Sequence, residues 1–292
     1  MATLETLSSC PLCEGSCIVH VDEAFLFDRC ASCGFVFDNP RLTQASIAEH
    51  YSRLEQYDGW LQNLDARNKL CKRRLSKMLP DIAQGSLIDI GAGIGQFLAI
   101  AQSSFSSVRG IELSESAVII AKKYYGLSID HGTIEELHLP TFDNLTMIHV
   151  LEHVINPKDT LKRCYDILNP KGRLFICVPN DLRAWSSKLS AIKSRIRSIL
   201  YAINSRIGNS NYSPITGLAR GGTEQEIHLN HFTRETLVFA VRQAGFKVLK
   251  VDIDPYYAAT GWRLFVNHLS YAVHKLLYLP TYPTLWLVAE KP

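Results

Sequence analysis

The 292-residue sequence has no long uninterrupted apolar run and no strong excess of charge of either sign. A bilayer-spanning helix needs roughly 20 consecutive apolar residues, so we expect no membrane span. The first residues show no basic segment followed by an apolar stretch, and we expect no signal peptide. Lys and Arg number 31 against 28 Asp and Glu, a net charge of +3. That excess is too small to argue for a nucleic-acid partner.

Charged residues are also scarce, at 20% of the chain, whereas hydrophobic residues make up 47%. This balance predicts a sizeable core. The length suits one large domain or one domain with appendages. Without an export signal, the eight cysteines are expected to be reduced thiols or metal ligands. We therefore expect a cytoplasmic protein, and peripheral contact with a membrane stays open.

Four of the cysteines are arranged in two pairs, Cys10-Pro-Leu-Cys13 and Cys30-Ala-Ser-Cys33. Two Cys-x-x-Cys pairs at this separation are typical of a four-thiolate zinc ribbon. A unit this small lacks a core of its own and needs the metal. The pattern predicts a zinc ribbon over residues 1–40, with Cys10, Cys13, Cys30 and Cys33 as ligands, followed by a helical linker over residues 41–80. Whether the ribbon is a structural staple or contacts substrate stays open.

A short apolar run over residues 87–90 ends in three alternating glycines, Gly91, Gly93 and Gly95, and an apolar helical pattern follows. This order predicts strand, tight turn and helix, with a backbone that a ligand can approach closely. Ligands of open α/β sheets bind at the carboxyl ends of the strands, which is where this turn is expected. The dinucleotide fingerprint is Gly-x-Gly-x-x-Gly. Here the third glycine comes one residue early, and Asp89 stands beside the turn, which disfavours a nicotinamide cofactor.

Strand and helix patterns alternate from residue 86 onwards, which predicts a parallel sheet with right-handed crossovers. Glu112 ends the second strand about 20 residues after the glycine turn, the offset expected of a ribose-binding acid. A carboxylate there can accept hydrogen bonds from both ribose hydroxyls. The alternative is an acid beside the start of the next helix, at Ser114 and Glu115.

The stretch Asp89-Ile-Gly-Ala-Gly-Ile-Gly95 and the stretch Ile148-His-Val-Leu-Glu-His-Val154 resemble two motifs of class I S-adenosylmethionine (SAM) dependent methyltransferases. The cysteine pairs followed by Gly34-Phe-Val-Phe-Asp-Asn-Pro-Arg41 resemble a bacterial subgroup with an N-terminal zinc ribbon. The resemblance implies an α/β fold over residues 81–292: a Rossmann-like seven-stranded sheet with helices on both faces and an antiparallel last strand. It also implies a helical lid inserted at residues 181–228.

The resemblance further implies which residues contact SAM. In the family the glycines pass under the cofactor, the two acids hold its amino-acid end and its ribose, and the loop after the third strand lies against the adenine. The positions so implied are Asp89, Gly91, Ala92, Gly93, Gly95, Glu112, Leu113, Thr133, Ile134, Glu135, His149 and Val150.

Histidines supply the candidate catalytic groups. His149 and His153 lie with Glu152 at the carboxyl edge of the predicted sheet. Three interpretations stay open: a general base, a divalent metal site, and packing against the cofactor. Some quinone O-methyltransferases bind a metal at a similar stretch, but this chain has His149 in place of their first glutamate. The segment Glu226-Ile-His-Leu-Asn-His-Phe-Thr233 resembles the end of the family's lid, where His228 is the first candidate base and His231 the second.

Two further amphipathic patterns are expected near the acceptor. Residues 185–207 predict a long basic helix, which serves as a lid, meets a membrane surface or binds a phosphorylated substrate. Residues 262–276 predict an apolar helix that extends the acceptor pocket or touches lipid.

The sequence thus predicts transfer of a methyl group from SAM to a small-molecule, sugar or lipid/polysaccharide-type acceptor by in-line displacement, with a histidine as base. The alternatives are an RNA methyltransferase with a zinc module and a non-catalytic SAM-fold binding protein. The acceptor, the methylated atom and the oligomeric state are left open by the sequence.

Overall fold

A computed structural model describes residues 3–22, 27–51, 61, 63–180, 182, 227–254, 261–279 and 281–292. The predicted lid helix over residues 185–207 lies outside the described residues. The strands are β1 Leu4–Glu5, β2 Ile18–Asp22, β3 Phe27–Cys30, β4 Val36–Asp38, β5 Arg41–Leu42, β6 Leu87–Ile90, β7 Val108–Glu112, β8 Ile129–His131, β9 Phe142–Ile148, β10 Leu168–Pro179, β11 Asn230–His231, β12 Lys247–Ile253 and β13 Thr284–Glu290. The α-helices are α1 Gln44–Tyr51, α2 Leu64–Met78, α3 Gln96–Ala101, α4 Glu115–Tyr125, α5 Pro157–Asp166, α6 Arg234–Gln243 and α7 Gly261–Leu276.

A seven-stranded sheet forms the centre of the molecule, in the order β12-β13-β10-β9-β6-β7-β8. The neighbours from β10 to β8 pair in parallel. The last strand, β13, runs antiparallel to both β10 and β12. The predicted Rossmann-like sheet of seven strands is therefore confirmed, including its antiparallel last strand.

The strand order places the glycine turn at the middle of the sheet. From β6 the chain moves outward on one side through β7 and β8, and then returns to pair β9 with the other side of β6. Crevices at the carboxyl ends of strands open where the order reverses in this way. The turn after β6 and the turn after β9 consequently border the same crevice.

Helices cover both faces of this sheet. Leu87 and Ile88 are adjacent in β6, yet they belong to two separate hydrophobic clusters because successive side chains of a strand point to opposite faces. The same alternation divides Phe175 from Ile176 in β10. A strand buried on both faces reads as a continuous apolar run, which explains why these strands were recognisable in the sequence.

Local signals set several helix ends. Ser114 caps α4 by accepting a hydrogen bond from the Ala117 N–H, and Gly126 ends the helix with φ of 66°. Thr233 and Thr236 form a capping box at the start of α6. The start of α4 lies where the sequence predicts a helix start, at Ser114 and Glu115. Among the described residues, no helix has both the length and the apolar character required to cross a bilayer.

The N-terminal residues form a second sheet of four strands, in the order β11-β4-β3-β2. Three of them come from residues 18–38, but the edge strand β11 is contributed by a segment far along the chain. Its register pairs Asn230 with Phe37 and His231 with Val36. We call the residues 3–22 and 27–51 the cysteine module. The predicted division of the chain near residue 40 stays a prediction, and this shared sheet crosses it.

Candidate active site

The glycine turn after β6 uses left-handed backbone at each glycine. Gly91, Gly93 and Gly95 have φ of 69°, 55° and 77°, a region that L side chains avoid. Space is also short: a Cβ on Gly91 would lie 2.4 Å from Cγ2 of Val150, and one on Gly95 would lie 2.9 Å from Cδ1 of Leu127. The turn therefore requires glycine for conformation and for packing, and it leaves a backbone cradle at the crevice.

Glu112, at the end of β7, holds its carboxylate over this turn. One oxygen accepts a hydrogen bond from the Gly93 N–H at 2.7 Å, and the other accepts from the Ser114 N–H at 2.9 Å. Burial raises the pKa of the carboxyl. Each oxygen keeps a lone pair that can accept a further bond. The structure thus brings together the turn and the acid that the sequence assigned to a ribose.

Asp89, the other predicted acid, is only 3% exposed. Its carboxylate accepts a hydrogen bond from the Thr146 hydroxyl at 2.6 Å. Burial raises the pKa of Asp89 to about 7; the nearby Glu112 charge raises it as well, against lowering by Thr146 and Arg74. The Asp89 carboxyl therefore loses its proton near neutral pH, and a cationic group of a ligand would stabilise the ionised form.

Two further predicted cofactor contacts, Ala92 and Leu113, are held by hydrogen bonds of their main-chain atoms. The Ala92 N–H donates to the Ile111 carbonyl at 2.9 Å, and the His131 ring lies 3.0 Å from the Leu113 carbonyl.

The loop after β8, predicted to contact the adenine, is held in place by the burial of Ile134 and by hydrogen bonds of its neighbours. Ile134 is buried in the core. The Glu135 carboxylate accepts from the Thr160 hydroxyl at 2.5 Å, and the Thr133 N–H donates to Glu136 at 3.1 Å. Contacts of this loop with a cofactor stay predictions.

His149 begins the turn after β9 with φ of 57°, in the left-handed region. Its Nδ1 lies 3.1 Å from the Glu152 carboxylate, and its Nε2 lies 3.5 Å from the Cys177 sulfur. Burial raises the pKa of Cys177 well above the usual value, which keeps the thiol protonated. Both imidazole nitrogens are thereby engaged by protein groups. This arrangement favours a role in holding Glu152 over a role as catalytic base.

A second group of side chains meets at the same turn. Glu152, His153 and His228 each present a ligand atom, and these atoms lie within 4.8 Å of one another. The rings of His153 and His228 make an edge contact with centroids 5.0 Å apart. His228, the first candidate base, thus lies beside Glu152 and His153.

His153 is held in one tautomer by its surroundings. Its Nδ1 hydrogen-bonds the Ile227 carbonyl and lies 3.1 Å from the Tyr51 hydroxyl. Because a carbonyl only accepts, the ring proton belongs on Nδ1 and the lone pair on Nε2. Burial lowers the pKa of His153 to about 4, so the ring is neutral at neutral pH. The Nε2 atom, 3.8 Å from the Glu152 carboxylate, is available as a base or ligand.

His231, the second candidate base of the lid end, lies inside the four-stranded sheet. Its Nε2 donates to the Asp38 carboxylate at 2.8 Å, and its ring packs on Phe27 at 4.5 Å. These contacts favour a structural role that fixes β11 to β4.

Two site residues had no assigned role in the sequence analysis. The Tyr51 hydroxyl accepts from the Ile227 N–H at 3.3 Å and also meets His153. The Asn230 amide donates to the carbonyls of Leu151 and Val154, at 3.1 and 2.7 Å. Their partners lie far away in the chain, and no motif spacing signals such contacts.

The four predicted metal ligands converge in the cysteine module. The sulfurs of Cys10 and Cys33 are 3.7 Å apart, those of Cys13 and Cys30 are 3.5 Å apart, and all four lie within 4.8 Å of one another. Zn–S bonds of about 2.3 Å in a tetrahedron separate sulfurs by about 3.8 Å. The donor set and its spacing therefore fit a zinc ion. Burial raises the pKa of Cys10 to about 11, so a thiolate there needs a cation.

Comparison with known proteins agrees with this geometry. A sequence profile described as a methyltransferase domain matches residues 63–251. The ubiquinone biosynthesis O-methyltransferase of Azoarcus sp. is 33% identical over 107 residues, which cover 34% of this chain and 46% of that protein. The mitochondrial enzyme of Schizosaccharomyces pombe is 34% identical over 99 residues, covering 31% and 36%. The match thus spans less than half the length of these relatives.

Solved structures share the fold. A SAM-dependent methyltransferase from Thermotoga maritima aligns with a TM-score of 0.53 and 18% identity, covering 84% of this chain and all of that one. Magnesium protoporphyrin IX methyltransferase from Synechocystis, solved with bound S-adenosylhomocysteine (SAH), aligns with a TM-score of 0.52 and 13% identity, covering 86% and 100%. The profile match covers more than half of the chain, and the chain belongs to the class I SAM-dependent methyltransferase family.

The glycine cradle can be tested with two matched substitutions. Gly91→Ala places a methyl group against Val150 at a left-handed position, whereas Gly126→Ala has the same kind of backbone, with φ of 66°, and open space. We expect Gly126→Ala to cost about 1 kcal/mol and Gly91→Ala about 2–4 kcal/mol in unfolding free energy. Only Gly91→Ala should weaken SAH binding. Urea unfolding and calorimetry measure both, and equal effects of the two variants would refute the cradle.

The buried Asp89 predicts a pH-dependent stability. Its pKa is about 7 in the folded state against 3.8 for a free carboxyl, so between these values the unfolded chain has lost the proton that the folded protein keeps. Stability then falls as pH rises, by up to about 1.4 kcal/mol per unit, and levels off above about pH 7. Asp89→Asn removes this contribution. Urea unfolding of both proteins across the window should show the wild type losing stability relative to the variant; parallel curves would contradict the shift.

Proposed function

We propose that this protein transfers a methyl group from SAM to a small-molecule acceptor. The observation that carries the proposal is the Glu112 carboxylate, held over a glycine cradle at the reversal point of a methyltransferase-family sheet. Two backbone N–H groups fix this carboxylate, and it suits the ribose hydroxyls. Asp89, whose protonation changes near neutral pH, suits the ammonium group of the cofactor's amino-acid end.

When bound, SAM supplies a methyl group made electrophilic by the positive sulfur. The protein then has to orient the acceptor for in-line attack and to remove its proton. His228 is our first candidate for the base, because its ring lies at the lid end beside Glu152. The Glu152 carboxylate would stabilise the imidazolium that forms. His153, kept neutral by burial, would orient the acceptor hydroxyl or act as the second base.

The same three side chains suggest a second arrangement. One carboxylate and two imidazoles within 4.8 Å are also a donor set for a divalent cation. In that arrangement Glu152, His153 and His228 hold an ion that polarises the acceptor oxygen. A methylation rate that rises with added Zn²⁺ or Fe²⁺, the kind of ion that imidazoles bind, and loses this dependence in Glu152→Gln, would distinguish it from the histidine base.

Several observations support a small molecule as acceptor. The relatives are named ubiquinone biosynthesis O-methyltransferases, and the net charge of +3 gives little attraction for RNA. Sugars and lipid-linked compounds remain within this class. Intact glycines and both acids argue against a decayed, non-catalytic site.

The test combines an acceptor panel with two histidine variants. Phenols, sugar nucleotides, polyprenylated phenols and RNA oligomers are incubated with SAM, and SAH release is measured by mass spectrometry. On the acceptor found, His228→Gln should lower kcat by about 10²–10⁴-fold and leave SAH affinity unchanged. His138→Gln, at an exposed histidine, is the matched control. Full activity of His228→Gln would exclude it as base, and methylation of RNA alone would favour the RNA enzyme.

We further propose that the four cysteines bind structural zinc. Elemental analysis should find about one zinc per chain, and Cys33→Ser should lose it, because three thiolates leave the tetrahedron incomplete. Cys17→Ser, at an exposed cysteine, should retain the metal. Since β11 joins the module's sheet, zinc loss should also shift the ring resonances of His228 in NMR spectra. Folded wild-type protein without zinc would refute the site.

A further inference from the structure

Helix α7 presents a continuous apolar face to solvent. Trp262, Phe265 and Leu276 are 73%, 71% and 77% exposed, and Leu269 lies between them at 55%. Spacings of three, four and seven residues place these side chains on one side of the helix. Val266 and Val273 of the helix are exposed as well, and so are three apolar residues just beyond it, Leu277, Tyr278 and Leu279. A contiguous apolar surface of this kind marks an interaction site.

The polar side of α7 is the side that contacts the protein. The Nε2 of His274 lies 3.2 Å from the Thr281 hydroxyl, and Nζ of Lys275 lies 3.6 Å from the Asp252 carboxylate of β12. Tyr271 packs edge-on against Tyr282 with centroids 5.8 Å apart. A surface helix of a globular protein normally buries its apolar stripe. Here the polar contacts hold the apolar stripe outward.

We propose that this apolar face of α7 docks on a lipid surface that carries anionic headgroups. The chain has no Asp or Glu between Asp254 and Glu290, and Lys275, whose ammonium nitrogen lies 3.6 Å from the Asp252 carboxylate, keeps about half of its side chain exposed. Trp262 and Tyr278 stand at the two ends of the face, and such aromatic residues favour the membrane–water boundary. A 16-residue helix is about 24 Å long and lies in the plane of the interface.

The charge pattern favours lipid over a second copy of the chain. Residues 255–289 contain Arg263 and Lys275 and no acid, so this segment offers no negative group to pair with the cations of a second copy. An anionic headgroup layer instead complements the lysine, while the acyl region accepts Phe265 and Leu269.

Docking through α7 would bring the catalytic edge of the sheet near the bilayer. Helix α7 follows β12, and Asp254, next after that strand, lies within 4.8 Å of His149 and Cys177 at the crevice. An acceptor dissolved in the membrane would then reach the site directly; this consequence rests on the proposed function, whereas the docking does not.

Vesicle binding of the full chain tests the docking without any turnover. With vesicles of phosphatidylcholine and about 30 mol% phosphatidylglycerol, we expect co-sedimentation and a blue shift of Trp262 emission, absent in Trp262→Phe. The double variant Phe265→Ser and Leu269→Ser should reduce partitioning about tenfold or more. Ile119→Ser, at a residue 56% exposed on α4, is the matched control and should bind as the wild type does. The substituted residues are exposed and lie outside the core, and thermal melts of each variant check that it folds.

Several results would overturn the proposal. Absence of vesicle binding, or equal binding by the double variant, would exclude the face. Equal binding to pure phosphatidylcholine would exclude the anionic headgroup. A dimer in sedimentation velocity that the double variant loses would assign the face to a second copy. Emission of Trp262 that is already blue-shifted without vesicles would show that the chain itself covers it.

Discussion

The candidate active site depends on the backbone of one turn, at Glu152. The carbonyl of Glu152 accepts hydrogen bonds from the N–H groups of Leu229 and Asn230, at 2.8 and 3.0 Å. Its side chain meets His153 and His228. Glu152, at the carboxyl ends of the central strands, therefore fixes the segment 227–232 through its carbonyl. Its side chain faces His153 and His228, and His228 belongs to that segment. Because the carboxylate is almost wholly buried, its position allows little freedom, and any shift of the segment changes the distance between the two rings.

The cysteine module also holds the segment 227–232 in place. Its strand β4 pairs with β11, and the Asp38 N–H donates to the Leu229 carbonyl at 2.9 Å. Arg41 donates to the Ile155 carbonyl at 2.7 Å. The Tyr51 hydroxyl lies 3.1 Å from Nδ1 of His153 and accepts a hydrogen bond from the Ile227 N–H at 3.3 Å. The module thus contacts the segment that carries His228. A zinc ion that orders four cysteines would, through β4, also order the segment that carries His228.

The sequence was informative wherever a signal is local. Ser114 and Gly126 mark both ends of α4, and the apolar runs mark strands buried on both faces. The pairs of cysteines were close enough in sequence to predict one cluster. The contact of His228 with Glu152 and His153 was not predictable in this way. Residue spacing places His149 at the crevice but does not show that its nitrogens turn to Glu152 and Cys177. The pairing of β11 with the module joins segments nearly two hundred residues apart, and a two-residue strand has no pattern of its own.

The central claim is that the Glu112 carboxylate and the glycine turn form a cofactor site for a nucleoside with a charged amino-acid end. Calorimetric titration of the full chain with SAH tests it most directly, with Glu112→Ala and Glu115→Ala compared side by side. We expect one SAH bound per chain, lost or strongly weakened in Glu112→Ala and retained in Glu115→Ala, whose carboxylate lies only at the start of α4. Absence of SAH binding to the wild type, or equal affinity in the two variants, would contradict it.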